Sequence, residues 1–184
     1  MSAGFVILFI AVAIAAWAIM NYNRLVKLQV RAKASWQDID VQLKRRYDLI
    51  PNLVETVKGY ASHEKKVFEQ VTIARTQAIN ASSPKEQALA EEGLKNTLKS
   101  LFAVVENYPD LKANANFLEL QRSFEQVEDT VQRSRVYYNA VVRDLNTRIR
   151  IFPQSVIANM FHFQKREFYM LPNEEQREAP RARF

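Results

Sequence analysis

Hydrophobic and polar positions divide the chain into one apolar run followed by a succession of helical repeats. Residues 3–20, AGFVILFIAVAIAAWAIM, carry no charged side chain. As a helix they span about 27 Å, close to the ~30 Å hydrocarbon thickness of a bilayer. The run is apolar all round, whereas a core helix keeps a polar face. A cleaved signal peptide needs a basic stretch ahead of its apolar run, and Ser2 and Ala3 supply none. The pattern therefore predicts a retained transmembrane anchor over residues 1–22. Trp17 and Tyr22 suit the membrane–water interface.

Beyond Tyr22 the spacing becomes amphipathic: Leu25, Leu28, Ala32, Trp36, Ile39 and Leu43 recur three and four apart. No breaker separates this stripe from the anchor, so one helix is predicted from about Phe5 to Tyr47, projecting ~38 Å beyond the membrane. Pro51 lacks a donor and disfavours a helical residue before it, which places a boundary at Ile50. A second helix then starts at Pro51 and runs through Leu53, Val57, Tyr60, Val67, Val71, Ala74 and Ala78 to Asn80, with room for a kink at Gly59 or His63-Glu64. Ser83, Pro84 and Glu86 form a capping-box start for a third helix reaching about Asn107. Tyr108-Pro109-Asp110 breaks it. Asn114 caps a fourth and longest helix with its seam at Phe117, Leu120, Phe124, Val127, Val131, Ser134, Tyr138, Val141, Leu145 and Arg148. Ile151-Phe152-Pro153 ends it, and a short helix from Gln154 to about Phe163 follows.

The predicted fold is all-α: an N-terminal transmembrane helix continuing into an antiparallel four-helix bundle over residues 23–152, a short C-terminal helix over 153–171 and a mobile polar tail over 172–184. Short connections impose up-down-up-down packing. The turn at Asp48 and Pro51 then meets the turn at Tyr108, Pro109 and Lys112 at a distal tip. With Asp38, Asp40, Arg45 and Arg46 on the first helix, that tip is the candidate surface for contact with a neighbour. Ion pairing between helices is the plain alternative for those charges, at modest value each. The other end of the bundle returns to the bilayer. There Phe161, Phe163 and Phe168 beside Lys165 and Arg166, with Arg24 opposite, suit an interfacial helix; the alternative is that the aromatics only cover the open end of the bundle. Trp36, Ile39, Leu43, Leu53 and Val57 are expected in the core.

Composition narrows the function. Three glycines and six prolines are too few turn formers for a many-stranded fold, and the absence of cysteine removes disulfides and thiolate ligands. The net charge of +6 fits an anionic membrane surface. Basic residues Arg24, Lys27, Arg31 and Lys33 follow the anchor and none precedes it, which places the bundle in the cytoplasm with the N-terminus outside. The two histidines, His63 and His162, fit neither a zincin nor a di-iron pattern. Glu125 and Glu128 read as a solvated face. There is no phosphate loop and no nucleophile elbow. Basic and aromatic residues alternate on the fourth helix at Arg133, Arg135, Tyr137, Tyr138 and Arg143, but Glu119, Glu125, Glu128, Asp129 and Asp144 interrupt them and argue against nucleic acid. No catalytic residue, metal or cofactor is expected.

Several stretches carry a family resemblance: YNRLVKL, SWQDIDVQLKRRYDLIPNLVETVKGYASHE, VTIAR, ENYPDLKAN, FLELQ, RVYYNAVVRDLN and FPQSVIA. Together they closely resemble the LemA family of bacterial membrane proteins, over nearly the whole chain from Phe5 to Phe168. The resemblance implies an all-α bundle on a single anchor with no agreed catalytic residues. It also points to membrane organisation, since relatives include a protein needed for magnetosome membrane formation, and family genes occur near those of membrane metalloproteases. The expected function is a non-enzymatic, self-associating scaffold with the lipid bilayer and copies of itself as partners. The alternative is an adaptor of another membrane protein.

Overall fold

A computed structural model describes residues 3–170; the tail at 172–184 lies outside them. Six helices follow one another: α1 (Ala3–Lys58), α2 (Lys65–Ile79), α3 (Pro84–Val105), α4 (Pro109–Lys112), α5 (Ala115–Arg150) and α6 (Gln154–Met160). No strand occurs among the described residues. The residues group into two compact units, and α1 and α5 contribute to both.

The unit built from residues 38–136 and 168–170 has its core on two heptad seams. On α1 positions 39, 43, 46, 50, 53 and 57 are buried, and on α3 positions 87, 91, 94, 98, 101 and 105. Alternating steps of three and four keep one stripe on one side of each helix. Phe68, Val71, Ala74 and Ala78 on α2, Leu111 on α4, and Phe117, Phe124 and Val131 on α5 are buried with them.

The turn predicted at Pro51 does not exist. α1 passes through Pro51 without ending and continues two turns to Lys58. A proline orphans the carbonyl four residues earlier, here that of Tyr47. Arg75 of α2 donates its Nε–H to that oxygen at 2.8 Å, so the missing bond is replaced from outside the helix. The break comes instead at residues 59–64, where Gly59, Tyr60 and Ala61 close the last turn on Glu55 and Val57 carbonyls. α2 accordingly begins at Lys65.

The later boundaries follow local chemistry. The Ser83 hydroxyl accepts from the Glu86 amide at 3.2 Å, and Glu86 reaches back to the Ser82 amide and hydroxyl rather than to Ser83. Those bonds hold the Glu86 carboxyl below its usual pKa. The Asn114 side chain accepts from the Asn116 and Phe117 amides at 2.9 and 3.1 Å, capping α5 as predicted.

The unit built from residues 3–37 and 137–167 contains the apolar run of α1, whose side chains are exposed along its length, Phe9 at 76%. By length and composition this stretch can cross a membrane. Leu25 and Ala32 of α1 are buried, as are Tyr138, Val141, Val142, Leu145 and Ile149 of α5 and Ile157 and Ala158 of α6. Trp36, expected in the core, is half-buried; its ring meets that of Tyr138 edge-on at 5.3 Å.

Candidate functional site

Two arrangements of side chains stand out, one in each unit. The first is a buried charge network on the α1 and α3 seams. Arg46 is only 3% exposed and Glu91 5%. The Arg46 guanidinium pairs through Nη1 with Glu91 and, at 3.0 Å, through Nη2 with Glu128 of α5. Its Cζ also lies over the Phe124 ring, 5.3 Å from the ring centre. Tyr47 donates its hydroxyl to the other Glu91 oxygen. Gln87 donates to the Tyr47 hydroxyl at 2.8 Å and to the Ala78 carbonyl at 3.1 Å. One buried cation is thus neutralised by two carboxylates, and one of these is held by a phenol and an amide. This is the condition under which a buried charge is tolerated.

The electrostatics follow from depth. Burial raises the Glu91 carboxyl above its usual range, while Arg46 and the Tyr47 hydrogen bond pull it down. Burial, then the Glu91 charge, pushes the Tyr47 phenol well above 10.0. Tyr169, covered by the Arg135 guanidinium at 4.3 Å, is raised for the same first reason. Arg46, Glu91, Glu128 and Arg135 line a cleft of about 460 Å³ with Lys95 and Asp129. Its charges are mixed. Glu91, which lines this cleft, is bonded to the Tyr47 hydroxyl. Among the described residues no cluster of His, Asp and Glu is placed to hold a metal ion.

The second arrangement joins the end of the apolar run to the segment after α6. The Tyr22 ring packs on Phe161 at 4.7 Å and on Phe163 at 5.8 Å. Asn21 is buried and donates to the Trp17 carbonyl at 2.8 Å. The chain after α6 is tied to α5: the Asn146 side chain donates to the Arg166 carbonyl and accepts from its amide, at 2.8 and 2.9 Å. Tyr138 donates to the Glu167 carbonyl at 2.8 Å.

The predicted contact residues separate accordingly. Asp38, Asp40, Arg45 and Asp48 are exposed on α1. Arg46 is not a surface residue; it occupies a core position and is spent on Glu91 and Glu128. Pro51 is exposed but lies inside α1, so neither it nor Asp48 belongs to a turn. The α1–α2 turn that reaches the α4–α5 end is the one at residues 59–64, where the Tyr60 hydroxyl accepts from Asn114 at 3.0 Å. Tyr108 is half-buried, Pro109 opens α4, and Lys112 pairs with Glu106. Of the predicted membrane-interface residues, Tyr22, Phe161 and Phe163 come together; Arg24 and Lys165 are exposed, and Trp17, Arg166 and Phe168 are half-buried.

Sequence reasoning missed Gln87, Glu91 and Arg75 and assigned Glu128 to solvent. A signal was present: Arg46, Gln87 and Glu91 fall on the a/d-type spacing of their helices, where a polar residue needs a buried partner.

A family model described as the LemA family matches residues 35–184. The chain is 26% identical over 184 aligned positions to Magnetosome protein MamQ 2 of Paramagnetospirillum magneticum, covering 86% of this chain and 68% of that protein. It is 24% identical over 177 positions to Magnetosome protein MamQ of Magnetospirillum gryphiswaldense, covering 82% and 65%. It is 24% identical over 140 positions to Protein LemA of Metamycoplasma hominis, covering 74% and 63%. The chain thus spans about two thirds of the length of these relatives.

Proposed function

The chain belongs to the LemA family, and from that premise we propose that it is a non-enzymatic scaffold, anchored in a membrane by α1, that assembles with copies of itself to organise the membrane or proteins within it. The observation that carries this reading is the continuity of α1. The apolar run and the seam of the bundle are one helix from Ala3 to Lys58, and the one proline in it is compensated by Arg75. An anchor and a packing seam carried on one helix suit a part that works at the membrane.

The charge network supports the non-enzymatic half of the proposal. Catalytic groups are shifted in pKa and face a substrate; here the shifted groups Tyr47 and Glu91 face one another. The magnetosome names of two relatives support membrane organisation. Self-association would use the outer faces of α1 and α5, where Val30, Val41, Val136 and Tyr137 are exposed. The basic residues Arg24, Lys27, Arg31 and Lys33 favour a cytoplasmic bundle on a bacterial inner membrane.

Crosslinking in cells from cysteines placed at Asp38 and Lys112 tests the proposal, since the chain has no cysteine of its own. Recovery of crosslinked copies of the chain supports a scaffold. Recovery only of a different membrane protein overturns it in favour of an adaptor.

A further inference from the structure

Helix α6 is short, and large apolar side chains lie on its exposed side and its flanks as well as on its buried side. Ile157 and Ala158 point inward and are buried. On the other side, Phe152 is 81% exposed, Met160 64% and Phe161 53%, with Ile151 and Val156 about half exposed beside them. Covering the end of a bundle accounts for the inner face and leaves the outer face unexplained. Five large apolar side chains on one short segment are more than scattered surface hydrophobes.

Their position identifies what covers them. The apolar run of α1 gives way to charge immediately after Tyr22, at Arg24 and Lys27. Tyr22 therefore marks the headgroup level of the bilayer that α1 crosses. Phe161 stacks on Tyr22 at 4.7 Å and Phe163 at 5.8 Å, which sets the end of α6 at that same level. Exposed Lys165 follows within a few residues, and a cation beside apolar side chains fits an anionic headgroup layer. The segment cannot drift from this height, because Asn146 holds Arg166 by two hydrogen bonds and Tyr138 holds Glu167.

We propose that the outer side of α6 and its flanking residues, through Phe152, Val156, Met160 and Phe161, lie in the headgroup–acyl boundary of the membrane and are a second bilayer contact beside α1. The contact rests on the membrane-anchor reading of α1. Two attachments fix the tilt and rotation of this unit on the bilayer, which one helix leaves free.

The test uses the full chain reconstituted in phosphatidylcholine–phosphatidylglycerol vesicles, with single cysteines labelled by an environment-sensitive fluorophore. Phe152→Cys and Met160→Cys report on α6, Ala13→Cys on the span and Ser100→Cys on water. Lipids spin-labelled at the headgroup, high on the acyl chain or near its end serve as quenchers. The proposal expects blue-shifted emission at both α6 positions and loss of roughly half of it to the shallow label, as for groups seated ~5–10 Å into the boundary. Ala13→Cys should be quenched most by the deep label. Emission at 152 and 160 matching Ser100→Cys, with Ala13 still quenched, overturns the α6 contact and leaves the anchor standing. A blue shift without lipid quenching assigns the face to another protein copy and also overturns it. A water-exposed Ala13 overturns both.

Discussion

Replacing Arg75 should weaken the bundle only because Pro51 is where it is. Pro51 cannot donate to the Tyr47 carbonyl, and Arg75 Nε takes that place at 2.8 Å. A hydrogen bond from a charged donor contributes about 1.5–3 kcal/mol. Arg75 is half-buried, so screening puts Arg75→Leu near 1.5–2 kcal/mol. Urea titration of the full-length protein in mild micelles, followed by helical circular dichroism, should show a midpoint lowered by roughly 1 M. In a Pro51→Ala background, residue 51 regains its amide and the helix bonds Tyr47 itself. There Arg75→Leu should cost no more than about 0.5 kcal/mol, because the carbonyl is no longer orphaned. The double-mutant cycle then yields a coupling of about 1–1.5 kcal/mol. Additivity within ~0.5 kcal/mol would refute the reasoning, since Arg75 would then stabilise the bundle by some route unrelated to the proline.

Three further outcomes follow from the same residues. Glu91→Ala leaves the buried Arg46 with Glu128 alone and should cost about 3–5 kcal/mol in the same titration, whereas Glu91→Gln, which keeps an acceptor for Tyr47, should cost less. Tyr47 is raised above its unfolded 10.0, so the neutral phenol favours the fold fully below pH 10 and that contribution is lost as pH rises beyond it; Tyr47→Phe should flatten the fall of stability with pH on the alkaline side. Asn114→Ala removes the cap of α5 and the bond to Tyr60, a loss of about 1–2 kcal/mol measurable as an earlier thermal transition.

What the sequence revealed was what neighbouring residues decide. Ser83, Pro84 and Asn114 act on amides within a turn of themselves, and the helix starts they mark are where they were placed. Pro51 was misjudged for the opposite reason. Its missing donor is a local fact, but the remedy comes from Arg75, on another helix. The true break at Gly59 had registered only as an interruption of a helix already begun. The charge network was legible in outline, since Arg46, Gln87 and Glu91 interrupt apolar seams. Which carboxylates meet Arg46 depends on how the helices face one another, and periodicity carries no such information. Glu128 looked solvent-facing because half of its side chain is.

Native mass measurement of the full-length protein released from lipid nanodiscs tests the central claim most directly. A self-assembling scaffold predicts a discrete multimer that persists on dilution. A clean monomer at protein densities comparable to those in a membrane would contradict it.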